Sequence, residues 1–255
     1  MTRLRSTFSK FRTYAAGLRR TRIIVDHELV PNALGQTNVG YDTSLRKEAL
    51  AREYIFGMPG DNLKFLDVGG GDGELTYLFG ITDNLRFDKG LYEENRARFA
   101  GKYTYYGVDL APGDNPRMLS GDVCDQRFSD TYSQFHDFFD VIYSNNVFEH
   151  LRRPWIAAKN LLAMLRPGGI CITVAPFSLR YHEVPGDYFR YTHTCLPALF
   201  ADAGPIRTLS SGYDTTGRRN NWQGLGDHND TCPVDHFGAW RENWFVITVV
   251  QKVSE

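Results

Sequence analysis

Glycines and acids are concentrated in FLDVGGGDGEL, residues 65–75, directly after a short apolar run. Glycine destabilises regular structure, so such a cluster indicates a backbone that turns tightly or lets a ligand approach closely. A strand, a glycine turn and a helix start are typical of a nucleotide-binding corner. The spacing is not G-x-G-x-x-G, and no Gly-Lys-Ser/Thr follows. Asp67 and Asp72 would repel a pyrophosphate, so the turn is predicted to face a cationic ligand; the alternative is an ordinary strand-to-helix turn.

A second concentration of polar side chains lies in GDHNDTCPVDH, residues 226–236. It contains Asp227, His228, Asp230, Asp235 and His236. Carboxylates and imidazoles of this kind can ligate Mg²⁺ or another divalent ion. Such clusters are more often polar loops, so we predict no metal site from the sequence. The segment could still border a substrate pocket.

The elements that must position these residues alternate between strand and helix patterns. Predicted strands are LKFLDV (63–68), YTYYGVDL (103–110), FDVIYSNNVFEHL (139–151, passing into a helix), ICITVAPF (170–177) and NWFVITVVQKV (243–253). Apolar residues recur at helical spacing in 154–169, which is predicted to end at Pro167-Gly168-Gly169. Strands alternating with helices predict a parallel sheet covered on both faces, with ligands at the carboxyl ends of the strands.

Composition limits the class of protein. A chain of 255 residues with 42% apolar residues can form one α/β domain with a sizeable core. A net charge of −1 indicates neither disorder nor a nucleic-acid-binding field. The four cysteines are scattered without a C-x-x-C pair, which argues against structural zinc and disulfides and fits a reducing cytoplasm. We find no signal-peptide pattern and no apolar run long enough to span a bilayer.

The N-terminal segment carries an apolar helical stripe flanked by arginines, within residues 1–22. The stripe consists of Leu4, Phe8, Phe11, Ala15 and Leu18. A basic amphipathic helix can lie on an anionic membrane, dock on its own domain or contact a second subunit. We therefore divide the chain into a helical extension, residues 1–58, and a main domain, residues 59–255.

Four stretches in order resemble the class I S-adenosylmethionine-dependent methyltransferases, and in particular the group called methyltransferase type 11. They are LDVGGGDG, YYGVDL, GDVCD (121–125), and FDVIYSNNVFEHL followed by LRPGG. The resemblance covers roughly residues 60–205, with a last strand at 243–253. It implies a Rossmann-like, doubly wound, mostly parallel seven-stranded sheet with an N-terminal helical extension, and an enzyme that transfers methyl groups.

The resemblance also implies the cofactor, S-adenosyl-L-methionine, and its contacts. The glycine turn would face the methionine part, Asp109 would bind the ribose hydroxyls, and Asp122 with the Val123 backbone would lie near the adenine. The implied cofactor-binding residues are Asp67, Gly69, Gly70, Gly71, Gly73, Asp109, Leu110, Asp122, Val123 and Asn145. Glycine admits the backbone close to a sulfonium-bearing nucleoside, which has no phosphate to cradle.

The ribose acid has two candidates. It usually follows the glycine turn by about 20 residues, and Asp109 lies about twice as far as that, whereas Asp88 lies nearer. Asp109 ends a convincing apolar strand and Asp88 follows a poor one. We therefore choose Asp109, interpret residues 80–102 as an insertion on the first helix, and interpret Asp83 and Asp88 as solvated loop acids.

HEVPGDYFRYT, residues 182–192, resembles the signature of a methyltransferase subset found among enzymes of surface-glycan and secondary-metabolite assembly. A loop after the fifth strand lies where the methyl donor points, so His182 and Asp187 are candidate general bases, with His150 of FEHL as a third. Candidate substrate contacts are Tyr188, Phe189, Arg190 and Tyr191. The alternative is a structural lid, spanning the 177–192 loop, in which Asp187 pairs with Arg190. A further acceptor-side loop is predicted at 212–241.

The sequence therefore predicts a cytoplasmic methyltransferase, with membrane association through residues 1–22 as an option. O-methylation of a sugar or glycosylated intermediate is the first hypothesis. The alternatives are a small natural-product or lipid-like acceptor, methylated on oxygen or nitrogen, and a catalytically silent binding protein. Nucleic acid is excluded as a partner because the chain lacks an Asn/Asp-Pro-Pro-Tyr/Phe motif and a basic recognition domain.

Overall fold

The computed structural model describes residues 45–70, 73–83, 85–111, 115–179, 181–182, 186–214 and 244–254. Within them the strands are β1 Leu63–Val68, β2 Tyr103–Asp109, β3 Met118–Ser120, β4 Phe139–Asn145, β5 Leu165–Ser178, β6 Ile206–Asp214 and β7 Trp244–Lys252. They form one sheet in the order β3-β2-β1-β4-β5-β7-β6. β7 runs antiparallel to both of its neighbours, β5 and β6, and the other pairs are parallel. The predicted mostly parallel seven-stranded α/β fold is confirmed.

Helices cover both faces of the sheet. They are α1 Lys47–Gly57, α2 Thr76–Gly80, α3 Lys89–Ala100, α4 Phe128–Thr131, α5 Pro154–Met164 and α6 Cys195–Ala201, with 3-10 turns at Ser133–Phe135 and Phe148–His150. Successive strand residues point to opposite faces, so Phe65 packs with α1 to α3 and Leu66 packs with α5 and α6. Each face thus has its own apolar core.

The strand order reverses at β1, which lies between β2 and β4. Val68 at the end of β1 is paired with Val108 on one side and Ser144 on the other. The carboxyl ends of these three strands therefore meet at one edge of the sheet. In open α/β sheets this switch point is where ligands bind.

The helix predicted for 154–169 is shorter than expected. It ends at Met164, and Leu165 already pairs with Phe139 of β4. Pro167 disfavours helical backbone at the residue before it, and the buried Leu165 is drawn into the sheet. The Pro-Gly-Gly stretch consequently lies within β5 and not at a helix end.

Residues 80–102 are not an insertion added to a helix. They contain an isolated Ile81–Phe87 bridge and α3, whose Tyr92 and Phe99 are buried against the sheet. α3 is thus an integral part of the connection from β1 to β2. Asp88, interpreted as a solvated loop acid, caps α3 by accepting a hydrogen bond from Leu91 N at 2.9 Å.

The boundary drawn at residue 58 also changes. Ala51 and Ile55 of α1 are fully buried in the same core as Phe65 of β1. Lys47 N donates a hydrogen bond to Asp214 Oδ2 of β6 at 2.9 Å. α1 is therefore part of the main domain and not of a separate extension.

β6 has no counterpart among the predicted strands, and it takes up the first residues of the loop predicted at 212–241. Its polar sequence hid it, because an edge strand need not be apolar on both faces. The stripe within 1–22, Gly71 and the 226–236 segment lie outside the described residues. None of the helices described in this structure combines the length and apolar character needed to cross a bilayer.

Candidate functional site

The glycine turn packs directly against two polar side chains. Tyr105 of β2 donates a hydrogen bond to Asp67 Oδ2 at 3.1 Å. A Cβ on Gly70 would lie 2.6 Å from the Tyr105 hydroxyl and 2.8 Å from Asp67 Oδ2. Gly69 and Gly73 have φ of 74° and 76°, where L side chains are strained. The turn therefore requires glycine for local reasons at three positions.

Asp109 ends β2, as predicted, at the same edge as the glycine turn. The following residue, Leu110, is 60% exposed. A carboxylate beside an exposed apolar side chain suits a ribose with an attached base, because the acid accepts hydroxyl protons and the leucine covers an apolar ring face. The predicted roles of both residues fit this arrangement.

The loop after β3 is held by the side chain of Asn160, which the sequence analysis missed. Asp122 Oδ1 accepts a hydrogen bond from Cys124 N at 2.7 Å. Asn160 Nδ2 donates to Val123 O at 2.9 Å and to Asp125 O at 2.7 Å. Asn160 is buried on the apolar side of α5. A single amide within an otherwise apolar stripe was the signal that could have identified it.

The end of β4 carries two buried polar atoms with no partner among the described residues. Neither Ser144 Oγ nor Asn145 Oδ1 has a hydrogen-bond partner within the described part of the chain. Buried polar groups are rarely left unpaired in native proteins. Asn145 ends β4 beside the glycine turn, so a polar ligand at the switch point would satisfy its oxygen. Asn145 was predicted to contact the cofactor, and its position agrees with that role.

The residues at this edge fit S-adenosylmethionine. Acceptor oxygens of Asp67 and Asn145 suit a molecule that carries an ammonium and a sulfonium. Asp109 suits the ribose, and the turn at Gly70 leaves no side chain between the backbone and a ligand. These residues could hold the cofactor without any group that binds phosphate.

The 186–191 loop is fastened to the end of β4. Tyr188 N and Phe189 N donate to Glu149 O at 2.7 and 3.3 Å. Tyr191 N donates to Pro176 O of β5 at 2.9 Å. The loop therefore bridges the ends of β4 and β5, on the side of the glycine turn opposite to β2.

Asp187 and Arg190 form the pair that the lid alternative foresaw. Both guanidinium NH₂ groups donate to the Asp187 carboxylate, and Arg190 Nε donates to Leu179 O at 3.0 Å. The Arg190 hydrogen bonds lower the pKa of Asp187 to about 2, against the opposing effect of burial. A carboxylate so acidic is a poor base, and Asp187 instead orients its neighbours: it accepts from His182 N at 2.9 Å.

His150 and His182 are brought together around an acid that the sequence analysis did not single out. Their rings are 5.0 Å apart and nearly perpendicular. Glu149 Oε1 lies 3.8 Å from His150 Nε2 and 4.0 Å from His182 Nε2. Burial raises the pKa of Glu149 to about 7, although its own backbone N–H and Arg190 oppose the shift. The acid preceding His150 in FEHL was the available signal. We call these three residues the Glu149 cluster.

The substrate-contact candidates separate into exposed and buried residues. Tyr188 is 45% exposed, and its hydroxyl accepts a hydrogen bond from Arg152 Nε at 2.9 Å. Arg190 is committed to Asp187. Tyr191 was expected to line the acceptor site, but it is 2% exposed and donates to Phe148 O at 2.8 Å. Tyr191 is thus a core residue and does not line the acceptor site.

Comparisons with known proteins bear on the kind of domain and on its fold. The profile of a family described as a methyltransferase domain matches residues 33–203. An uncharacterized methyltransferase of Mycolicibacterium gilvum (strain PYR-GCK) is 34% identical over 116 residues, which are 44% of this chain and 38% of the relative. The chain thus spans less than half the length of that relative.

Two solved structures share the fold. One is a complex of the Haloferax volcanii Trm112 methyltransferase activator with a protein proposed to be a methyltransferase. The matching chain is 18% identical to this one, the match covers 82% of this chain and 91% of that chain, and the TM-score is 0.51. The other is a Galdieria sulphuraria protein proposed to be a sarcosine dimethylglycine methyltransferase, with 13% identity, 80% and 86% covered, and a TM-score of 0.51.

Proposed function

The chain belongs to the methyltransferase-domain family, its cofactor is S-adenosylmethionine, and we propose that it transfers the methyl group to a hydroxyl of a sugar or glycosylated intermediate. The observation that carries the choice of a hydroxyl is the Glu149 cluster. A hydroxyl must lose its proton as the methyl group arrives, whereas many nitrogen acceptors need no base.

The cofactor contacts follow from the switch point. We assign the ribose to Asp109, the adenine to Leu110 and the Asp122–Val123 loop, and the methionine part to the glycine turn. Asn145, with its buried oxygen, is assigned to the ammonium end. S-Adenosylmethionine supplies an electrophilic methyl group, so the chain's main task is to align the acceptor with it.

The acceptor side follows from the loop between β4 and β5. The two histidines of the Glu149 cluster lie beyond the carboxyl ends of β4 and β5, where we expect the acceptor and the methyl group to meet, and Asp187 accepts a hydrogen bond from His182 N. Tyr188 is exposed on this loop, and an exposed aromatic ring can cover the apolar face of a sugar. We assign His150 and His182 to activation of the hydroxyl for loss of its proton, with Asp187 as a positioning residue.

A second candidate acceptor is a small aromatic or lipid-like hydroxyl compound. Tyr181, which directly precedes His182, and Tyr188, in the loop bonded to Glu149 O, are 64% and 45% exposed. Exposed aromatic side chains beside a reactive site also suit a flat apolar acceptor. The proton chemistry is the same for both candidates, so only the acceptor itself distinguishes them.

The test is methyl transfer from labelled cofactor to matched acceptors. Purified protein is incubated with nucleotide sugars, oligosaccharides, phenols and amines, and the labelled products are identified by mass spectrometry. We expect label on a sugar hydroxyl, and none on the analogue in which that hydroxyl is replaced by hydrogen. Transfer confined to amines would overturn the proposal, and transfer confined to phenols would favour the second candidate.

A further inference from the structure

The Glu149 cluster draws its members from two loops. Glu149 and His150 lie in the 3-10 turn after β4, and His182 follows β5. One ligand atom from each residue lies within 4.8 Å of the other two. The sheet thus places two imidazoles and a carboxylate around one point at the edge where ligands bind.

Glu149 is an unusual member because it is buried and unsatisfied. Its side chain is 0% exposed, and among the described residues neither carboxylate oxygen has a hydrogen-bond donor on another residue. The two imidazole Nε2 atoms stand just beyond hydrogen-bond distance. Buried charges are normally paired or bound to a metal. A cation held by Glu149 would remove the cost of this burial.

Both histidines are oriented so that Nε2 is the atom presented to Glu149. His150 Nδ1 lies 2.5 Å from Gly186 O, and a carbonyl can only accept, so Nδ1 carries the proton. His182 Nδ1 lies 3.4 Å from Asp187 Oδ2, a carboxylate fixed by Arg190. In both rings Nε2 is therefore the nitrogen nearer to Glu149 Oε1. Metal-binding histidines are held in this manner, through a carbonyl or carboxylate on the other ring nitrogen.

We propose that Glu149 Oε1, His150 Nε2 and His182 Nε2 bind a divalent transition-metal ion. Metal–ligand bonds of about 2.0–2.2 Å require ligand atoms about 3.0–3.5 Å apart. The Glu149 Oε1 separations of 3.8 and 4.0 Å from the two Nε2 atoms, and the 4.8 Å limit on all three pairs, would have to shorten through side-chain rotation when the ion binds. Two imidazoles and one carboxylate suit Zn²⁺, Fe²⁺ or Mn²⁺ better than Mg²⁺, and they leave coordination positions open.

The role of the ion rests on the proposed function. An acceptor hydroxyl that occupies an open position becomes more acidic, as water does on a bound metal. Its O–H bond breaks with the proton passing to solvent. The oxygen lone pair then forms the new O–C bond while the S–C bond of the cofactor breaks, its electron pair leaving on sulfur. The two histidines act as ligands in this step, and no separate base is needed.

The test of binding needs no acceptor. Chelator-stripped full-length protein is titrated with Zn²⁺, Mn²⁺ and Mg²⁺, and Co²⁺ serves as a spectroscopic probe of imidazole ligation. We expect one equivalent of transition metal, weak Mg²⁺ binding, and at least 100-fold weaker binding in Glu149→Gln, His150→Ala and His182→Ala. Asp187→Asn should cost roughly 10- to 100-fold. His136→Ala, an exposed histidine outside the cluster, is the matched control.

Folding defects are separated by thermal unfolding. Glu149→Gln removes a buried carboxyl group that has no donor on another described residue, so without metal it should melt no earlier than the parent protein, and Zn²⁺ should raise the melting temperature of the parent but not of this variant. Unchanged metal affinity in the three cluster variants overturns the proposal, as does affinity that is lost only in His228→Ala or His236→Ala. If a chelator leaves methyl transfer to a sugar hydroxyl unaffected, the ion has no role in the transfer, and the proposed function is retained.

Discussion

Asn160 of α5 donates a hydrogen bond to the backbone oxygen of Val123, and its own side-chain oxygen accepts one from Ser129 Oγ at 3.0 Å. One buried amide thereby joins a helix on the face of the sheet to the loop assigned to the adenine. The loop is held by the core, and this is why a short segment without regular structure can keep a defined position at the ligand edge.

Asn160→Leu should lower the free energy of unfolding by about 2–4 kcal/mol, because several buried polar groups lose their partner at once. Urea denaturation measures the change. Asn95→Leu is the matched control: Asn95 is also buried, but within the described residues it makes one hydrogen bond, to Phe79 O at 2.9 Å, so its replacement should cost about 1–2 kcal/mol. Equal losses in the two variants would contradict the bridging role.

Asp109→Ala should weaken S-adenosylmethionine binding by about 1–3 kcal/mol, because the ribose hydroxyls lose a charged acceptor. Asp88→Ala should leave affinity unchanged and cost about 1 kcal/mol of stability, since it removes the cap of α3. Calorimetric titration and denaturation of both variants separate the effects. The reverse pattern would move the ribose site to Asp88.

Gly70→Ala should destabilise the protein by about 1–3 kcal/mol and weaken cofactor binding, because the added Cβ forces Tyr105 and Asp67 to move. Gly57→Ala is the control: its Cβ would meet nothing within 4 Å, and alanine favours the end of α1. Differential calorimetry with and without cofactor makes the comparison. Normal cofactor affinity in Gly70→Ala would remove the turn from the binding site.

Alkylation should distinguish the cysteines. Burial raises the pKa of Cys124 to about 11 and that of Cys171 to about 12, so at pH 8 both are thiols and inaccessible. Cys195 is exposed, although burial of its sulfur raises its pKa as well. Iodoacetamide followed by peptide mass spectrometry should find Cys195 modified, and Cys124 and Cys171 modified only after unfolding. Rapid native labelling of Cys171 would refute the packing of β5.

Several elements were predictable because their signals are local. Alternating and apolar runs identified β1, β2, β4, β5 and β7, and the glycine turn followed from residues that are costly anywhere else. Errors arose where tertiary contacts override local signals. The Pro-Gly-Gly stretch marks the end of a helix in sequence, yet pairing of Leu165 with Phe139 ended it earlier. The polar β6 was found only in the sheet.

The sequence by itself determined the class of sheet, the switch-point turn and the acid that ends β2, because each depends on neighbours in the chain. Only the tertiary structure decided that His182 lies beside Glu149 and His150, that Arg190 pairs with Asp187, and that Tyr191 is buried. Those outcomes depend on β4 and β5 lying side by side in register, which brings together loops that are distant in sequence. The sequence specifies which side chains are present, but the folded sheet determines which of them lie close together.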